Sequence, residues 1–253
     1  MYFAPDSYLP LGELTIKWYS VFFGLAFLAM ALQLKYFVSK EQAPKSDLAG
    51  VLFFVLIFGL LGARLAHVFF YDFHYYMQHP FEIPQVWKGG LASHGGAISI
   101  LVGIWLYSKF FGKIYYWWWF DRMAIAVPLC VALIRMGNFF NGELYGTPTQ
   151  LPWGVVFPVA GKIIRHPVQL YESGAYLLCA LLLYSLYNRN KARPFGYFFG
   201  FSLALVNGCR FVIEFFKADS AYYLGLHTSQ WFNLLFILVG LVVFSLAVRA
   251  RLK

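Results

Sequence analysis

Seven mostly apolar runs, each near or above the ~20 residues that a helix needs to cross a bilayer, leave this chain few ways to fold. They are expected at about Ile16 to Phe37, Leu48 to Tyr71, Leu91 to Phe111, Tyr116 to Met136, Pro167 to Tyr187, Phe195 to Phe216 and Ser229 to Val248. In hydrocarbon every backbone N–H and C=O must find its partner inside the protein, and helices of this length do that. Charged residues make up only 12% of the chain, roughly half the share in a soluble domain, so the runs read as spans. The sequence predicts an all-α polytopic membrane protein. No polar linker divides its 253 residues, which are read as one integral-membrane domain.

The connections carry their own information. Residues 137–166, between the fourth and fifth runs, hold five glycines and three prolines and are expected to form an outer loop or small head. The segment DFHYYMQHPFEIPQVWKGG is too polar to cross and should lie at an interface, where Tyr and Trp favour the headgroup level. Lys35, Lys40, Lys45, Lys109, Lys113, Arg122, Arg189, Lys191, Arg193, Arg249, Arg251 and Lys253 fall on one side of the spans. Lys88, Lys162, Arg165 and Lys217 fall on the other. The positive-inside rule then puts the C-terminus in the cytoplasm and the N-terminus and the 137–166 loop outside. Because the +9 net charge is spread over short loops instead of one stripe, no nucleic-acid partner is expected. Asp6 and Glu13 precede the first cation, Lys17, so the first run is expected to be a retained span and not a signal peptide. Cys130, Cys179 and Cys209 lie in apolar runs and read as small core residues. No internal repeat supports an inverted-repeat transporter.

Against that apolar background the stretch IRMGNFFNGELYG, Ile134 to Gly146, stands out. Arginine in a span is costly, about 2.5–3.5 kcal/mol at its centre, and marks a site facing a cavity or the bundle interior. Capping of a helix end accounts for the glycines and one asparagine, but not for Arg135, Asn138, Asn141 and Glu143 together. A guanidinium with amide donors makes a cradle for phosphate. Arg210 and Glu214 are four apart and can pair on one helix face, functionally or as a structural ion pair. Arg64 in LGARLAH is read as structural, its stem snorkelling to the interface. His94 lies between Gly89–Gly90 and Gly95–Gly96 in KGGLASHGG, and an imidazole suits general base work near neutral pH. The same histidine is equally well a hydrogen-bonded core residue. RHPVQLYES places Gln169, Tyr171 and Glu172 at the entry to the fifth span, a weak signal alone. Trp18 and Tyr19 beside Lys17 fit an aromatic belt.

These residues carry a resemblance. Arg135 to Gly146 resembles the signature of bacterial phosphatidylglycerol-prolipoprotein diacylglyceryl transferases. LTIKWYS, LGARLAHVFFY, WKGGLASHGGAIS, RHPVQLYE, RFVIEFFKAD and TSQW continue it in order over nearly the whole chain. The resemblance implies an inner-membrane enzyme of seven spans that moves the diacylglyceryl group of phosphatidylglycerol onto the lipobox cysteine of a prolipoprotein signal peptide. The products are a thioether and glycerol 1-phosphate, and no metal or organic cofactor is implied. Carried over by motif, His94, Arg135 and Arg210 are the catalytic residues. Asn138, Asn141, Glu143, Gly146, Tyr19, Glu214, Gln169 and Tyr171 support substrate binding. The partners are phosphatidylglycerol as membrane lipid and the prolipoprotein. Two departures stand out: Ile134 where many members have glycine, and Val206–Asn207 where the family has Tyr-Gly ahead of the second arginine. The competing reading is a non-enzymatic phospholipid-binding or transport protein, which has no need for a base at His94.

Overall fold

The computed structural model describes residues 8–11, 14–189, 193–218 and 222–251. Asp6, Glu13, Lys191, Asp219 and Lys253, used above, lie outside them. A hairpin of β1 (Tyr8–Leu11) and β2 (Leu14–Lys17) leads directly into α1 (Trp18–Lys40). Then come α2 (Ser46–Phe70), a short α3 (Phe73–Gln78), α4 (Ser93–Phe110) and α5 (Tyr116–Asn141). A two-residue ladder of β3 (Val155–Val156) and β4 (Ile164–Arg165) precedes α6 (Val168–Arg189) and α7 (Tyr197–Ile213). A hairpin of β5 (Tyr222–Tyr223) and β6 (Leu226–His227) opens into α8 (Thr228–Arg251).

Six of these helices are long and apolar enough to cross a membrane: α1, α2, α5, α6, the stretch Tyr197–Phe216 that begins with α7, and α8. The third expected span, α4, is not among them. Its 18 residues reach about 27 Å, and Ser93, His94, Gly95, Gly96 and Lys109 dilute its apolar run. Two boundaries also move. The first span starts at Trp18, because Ile16 and Lys17 belong to β2. The fourth continues to Asn141, so Asn138 and Asn141 sit on a helix and not in the head. Gly142 ends it at φ +68°. Its N–H reaches Phe139 O and that of Glu143 reaches Asn138 O, the paired bonds of a Schellman stop.

The chain forms two compact units, Leu34–Phe120 and Met1–Gln33 with Asp121–Lys253. In the first, α2 and α4 pack closely where Gly62 and Gly95 face one another. A Cβ on Gly62 would lie 2.7 Å from Gly95 O, and small residues are what allow such helix approach in lipid. Arg64 does not snorkel. It is 2% exposed, and its guanidinium donates to the carbonyls of Glu82, Ile83, Gly89 and Gly90 at 2.6–3.1 Å. Asp47 accepts the N–H groups of Lys113 and Ile114, fixing the turn into α5.

In the second unit α5 is central, with 56% of its span buried against 28% or less for the others. Ser173 of α6 donates to Ala132 O, and Asp121 accepts the N–H groups of Gly196 and Phe199 at the start of α7. Pro128 inside α5 has no N–H to give Ala124 O. Ser202 of α7 supplies the missing donor at 2.7 Å. α7 and α8 meet at Gly200 and Gly240, where a Cβ on either would lie 2.7 Å from the other's carbonyl oxygen. The amide of Gln230 accepts His227 N–H at the head of α8. The stretch after α5 is a small folded head: Phe139, Val155 and Phe157 form a core with Tyr145, Ala160 and Leu170 against it.

Candidate functional site

The signature residues line the last two turns of α5 and its Gly-terminated exit. From Arg135 a chain of polar contacts runs through the second unit. Arg135 Nη1 donates to Asn138 Oδ1 at 3.1 Å, and Asn138 Nδ2 to Glu143 Oε1 at 2.9 Å. Asn141 Nδ2 reaches the same oxygen at 3.4 Å. Gln169, wholly buried, donates to the backbone oxygen of Glu143 at 2.7 Å, so the turn after α5 is held from α6. Tyr19 packs on this helix: a Cβ on Gly137 would lie 3.3 Å from Tyr19 Cα.

The other face of Arg135 meets an ion-pair network. Its Nε lies 2.9 Å from Glu172 Oε2, and Lys217 Nζ lies 3.1 Å from Glu172 Oε1. The same ammonium is 3.0 Å from Glu214 Oε2, which also faces Arg210 Nε at 4.0 Å. Ser229 donates to the second oxygen of Glu214. Both carboxylates are buried, Glu172 completely. A buried carboxylate is costly unless paired and hydrogen-bonded, and here each touches two cations. Counting Glu143, the charges of the cluster balance, so what it offers an anion is directed N–H groups. Arg210 presents the most of itself, being 40% exposed against 13% for Arg135.

Gly146 works through its backbone. Its N–H donates to His166 O, and it bridges Lys217, while Thr147 N–H donates to Phe216 O. A Cβ there would lie 2.6 Å from His166 Cβ and 2.7 Å from its carbonyl oxygen. Tyr171 lies beside this seam. Its hydroxyl accepts Trp153 Nε1 at 2.8 Å and meets His166 Nδ1 at 3.1 Å. His166, Tyr171, Trp153, Leu151, Ile213 and Phe216 line an open groove of about 510 Å³.

The sequence-predicted residues thus fall into two sets. Arg135, Asn138, Asn141, Glu143, Gln169, Glu214, Arg210, Gly146, Tyr171 and Tyr19 belong to one unit. His94 belongs to the other, at the first turn of α4, exposed and against the rings of Phe70 and Tyr71 with centroids 6.4 and 6.0 Å away. Asn207, one of the two departures, turns its amide back to Leu203 O at 2.7 Å. Lys217 and Ser229 stand in the sequence only within the stretches RFVIEFFKAD and TSQW, and Glu172 only beside Gln169 and Tyr171 at the entry to the fifth span. The spacing of Glu214 and Lys217, three apart at a helix end, was the available signal.

The fold is a multi-pass helical bundle in which Arg135 and Arg210 face buried glutamates where the helices end, which defines a polytopic membrane protein with a polar site. The comparisons make the assignment specific. The family described as prolipoprotein diacylglyceryl transferase matches residues 7–246, and the chain belongs to it. The phosphatidylglycerol–prolipoprotein diacylglyceryl transferase of Tolumonas auensis is 37% identical over 99% of this chain and 98% of its own. The protein of the same name from Chloroherpeton thalassium is 37% identical over 99% and 95%, and that of Cupriavidus pinatubonensis 36% over 96% and 91%.

Proposed function

We propose that the chain transfers the diacylglyceryl group of phosphatidylglycerol to the lipobox cysteine of prolipoproteins, as one membrane-embedded domain. The glycerol carbon–oxygen bond to phosphate breaks as the carbon–sulfur bond forms. Glycerol 1-phosphate leaves, and the thiol proton goes to a base. A thiol has a pKa of about 8.5 and attacks as thiolate, which is the task given to His94. The departing oxygens gather charge, and Arg135 and Arg210 stabilise it with directed N–H groups. Asn138, Asn141 and Glu143 orient Arg135, Glu214 orients Arg210, and Gly146, Gln169, Tyr171 and Tyr19 shape the walls around the lipid headgroup. The chain sits in the bacterial inner membrane with seven spans, its N-terminus outside and C-terminus cytoplasmic, so that the site opens to the outer leaflet.

The observation that carries this reading is the network Arg135–Glu172–Lys217–Glu214–Arg210 in a chain of this family. The test is mass spectrometry of a lipobox peptide incubated with purified protein and phosphatidylglycerol. The peptide gains one diacylglyceryl group at cysteine. No gain, where an authentic transferase modifies the same peptide, defeats the reading.

A further inference from the structure

We propose that Lys217 is a positioning residue, whose ammonium holds Arg135 and Arg210 in place by neutralising the two buried carboxylates that orient them. The proposal rests on the functional reading above for the roles of the arginines. Lys217 is 12% exposed, and its Nζ lies 3.1 Å from Glu172 and 3.0 Å from Glu214. Each carboxylate has one arginine of its own, Arg135 at 2.9 Å and Arg210 at 4.0 Å. Tyr176 points its hydroxyl at Glu172, and Ser229 donates to Glu214.

Without the ammonium, each of the two buried anions loses one of the cations that face it. Arg210 has room to respond, being the more exposed arginine, and Glu214 would draw it inward from its 4.0 Å separation. The lysine is itself placed by backbone. Its N–H donates to Glu214 O and the residue bridges Gly146, so the ends of α5 and α7 are tied together at the point where the ammonium is needed.

The test compares Lys217→Met, Lys217→Arg and Lys217→Met/Glu172→Gln in detergent, normalised to folded protein. Turnover of Lys217→Met falls about tenfold, and that of Lys217→Arg stays within about threefold of wild type, because a guanidinium can bridge both carboxylates. Glu172→Gln restores about threefold of the loss, since it removes the charge the lysine neutralised and keeps an oxygen for Arg135. A rise in KM for phosphatidylglycerol with kcat unchanged would mean that Lys217 itself holds the lipid, and overturns the proposal. So does a Met variant with wild-type turnover, or a double variant no better than the single one. Labelling of Arg210 by phenylglyoxal, read by mass spectrometry, needs no activity: it falls in Lys217→Met as Arg210 is drawn toward Glu214, and unchanged labelling contradicts the proposal. A wild type without transferase activity would sink the functional reading, and the labelling would then decide this one alone.

Discussion

At the scale of single residues, the account separates groups that act on substrate from groups that hold them. Arg135→Gln keeps a hydrogen-bonding side chain beside Asn138 and removes the charge. Turnover should drop about 10²–10³-fold, the cost of losing one donor to developing negative charge. His94→Gln should lower turnover about 10²–10⁴-fold, the usual contribution of a general base, and leave binding of phosphatidylglycerol vesicles near wild type. Turnover and lipid binding measured on both variants check this, and a fully active His94→Gln would show that His94 is not the base. Part of the site was legible at this scale. Arg135, Asn138 and Glu143 occupy one short stretch, and a charged, amide-rich segment beside a span is conspicuous because its burial needs a reason. Glu172 and Lys217 were not, since their pairing joins the start of α6 to the end of α7, and no local spacing encodes a contact between chain-distant segments.

At the scale of elements, helix ends and helix crossings do the positioning. α5 illustrates both. Its C-terminus is set by Gly142 and not near Met136, where the apolar run ends, so Asn138 and Asn141 ride on helix. Its interior contains Pro128, which leaves Ala124 O without a backbone donor, and Ser202 fills the gap. Ser202→Ala should destabilise the bundle by about 1–3 kcal/mol, the cost of an unsatisfied buried carbonyl. Adding Pro128→Ala, which returns the helical N–H, should recover most of that loss. Unfolding in a mixed detergent–urea titration gives the answer, and equal destabilisation with and without Pro128→Ala would refute the pairing. The run of apolar residues reported α5 correctly as a span. It could not report that Pro128 and Ser202 compensate, because the compensation depends on which helix lies alongside.

For the whole molecule, the class is legible in the sequence because long apolar runs have few alternatives in lipid. The count of spans is the part that depends on α4. Apolarity alone leaves α4 short of a span, since Ser93, His94 and Lys109 dilute its run and Gly95 and Gly96 pack against α2. The positive-inside argument nonetheless needs it to cross, placing Lys88 outside and Lys113 inside. Reporter fusions after Phe81 and after Gly112 should therefore read opposite sides, outer for the first and cytoplasmic for the second. The same reading from both would mean six crossings.

The central claim is that phosphatidylglycerol is cleaved at its glycerol carbon–oxygen bond by a cysteine thiol. Phosphorus NMR of wild-type protein in mixed micelles with phosphatidylglycerol and a lipobox peptide follows that bond directly. The phosphodiester signal should give way to the monoester signal of glycerol phosphate, mole for mole with peptide modified, and only when the peptide carries cysteine. A monoester signal that also appears when serine replaces the lipobox cysteine, or none under conditions where an authentic transferase produces one, would contradict this chemistry.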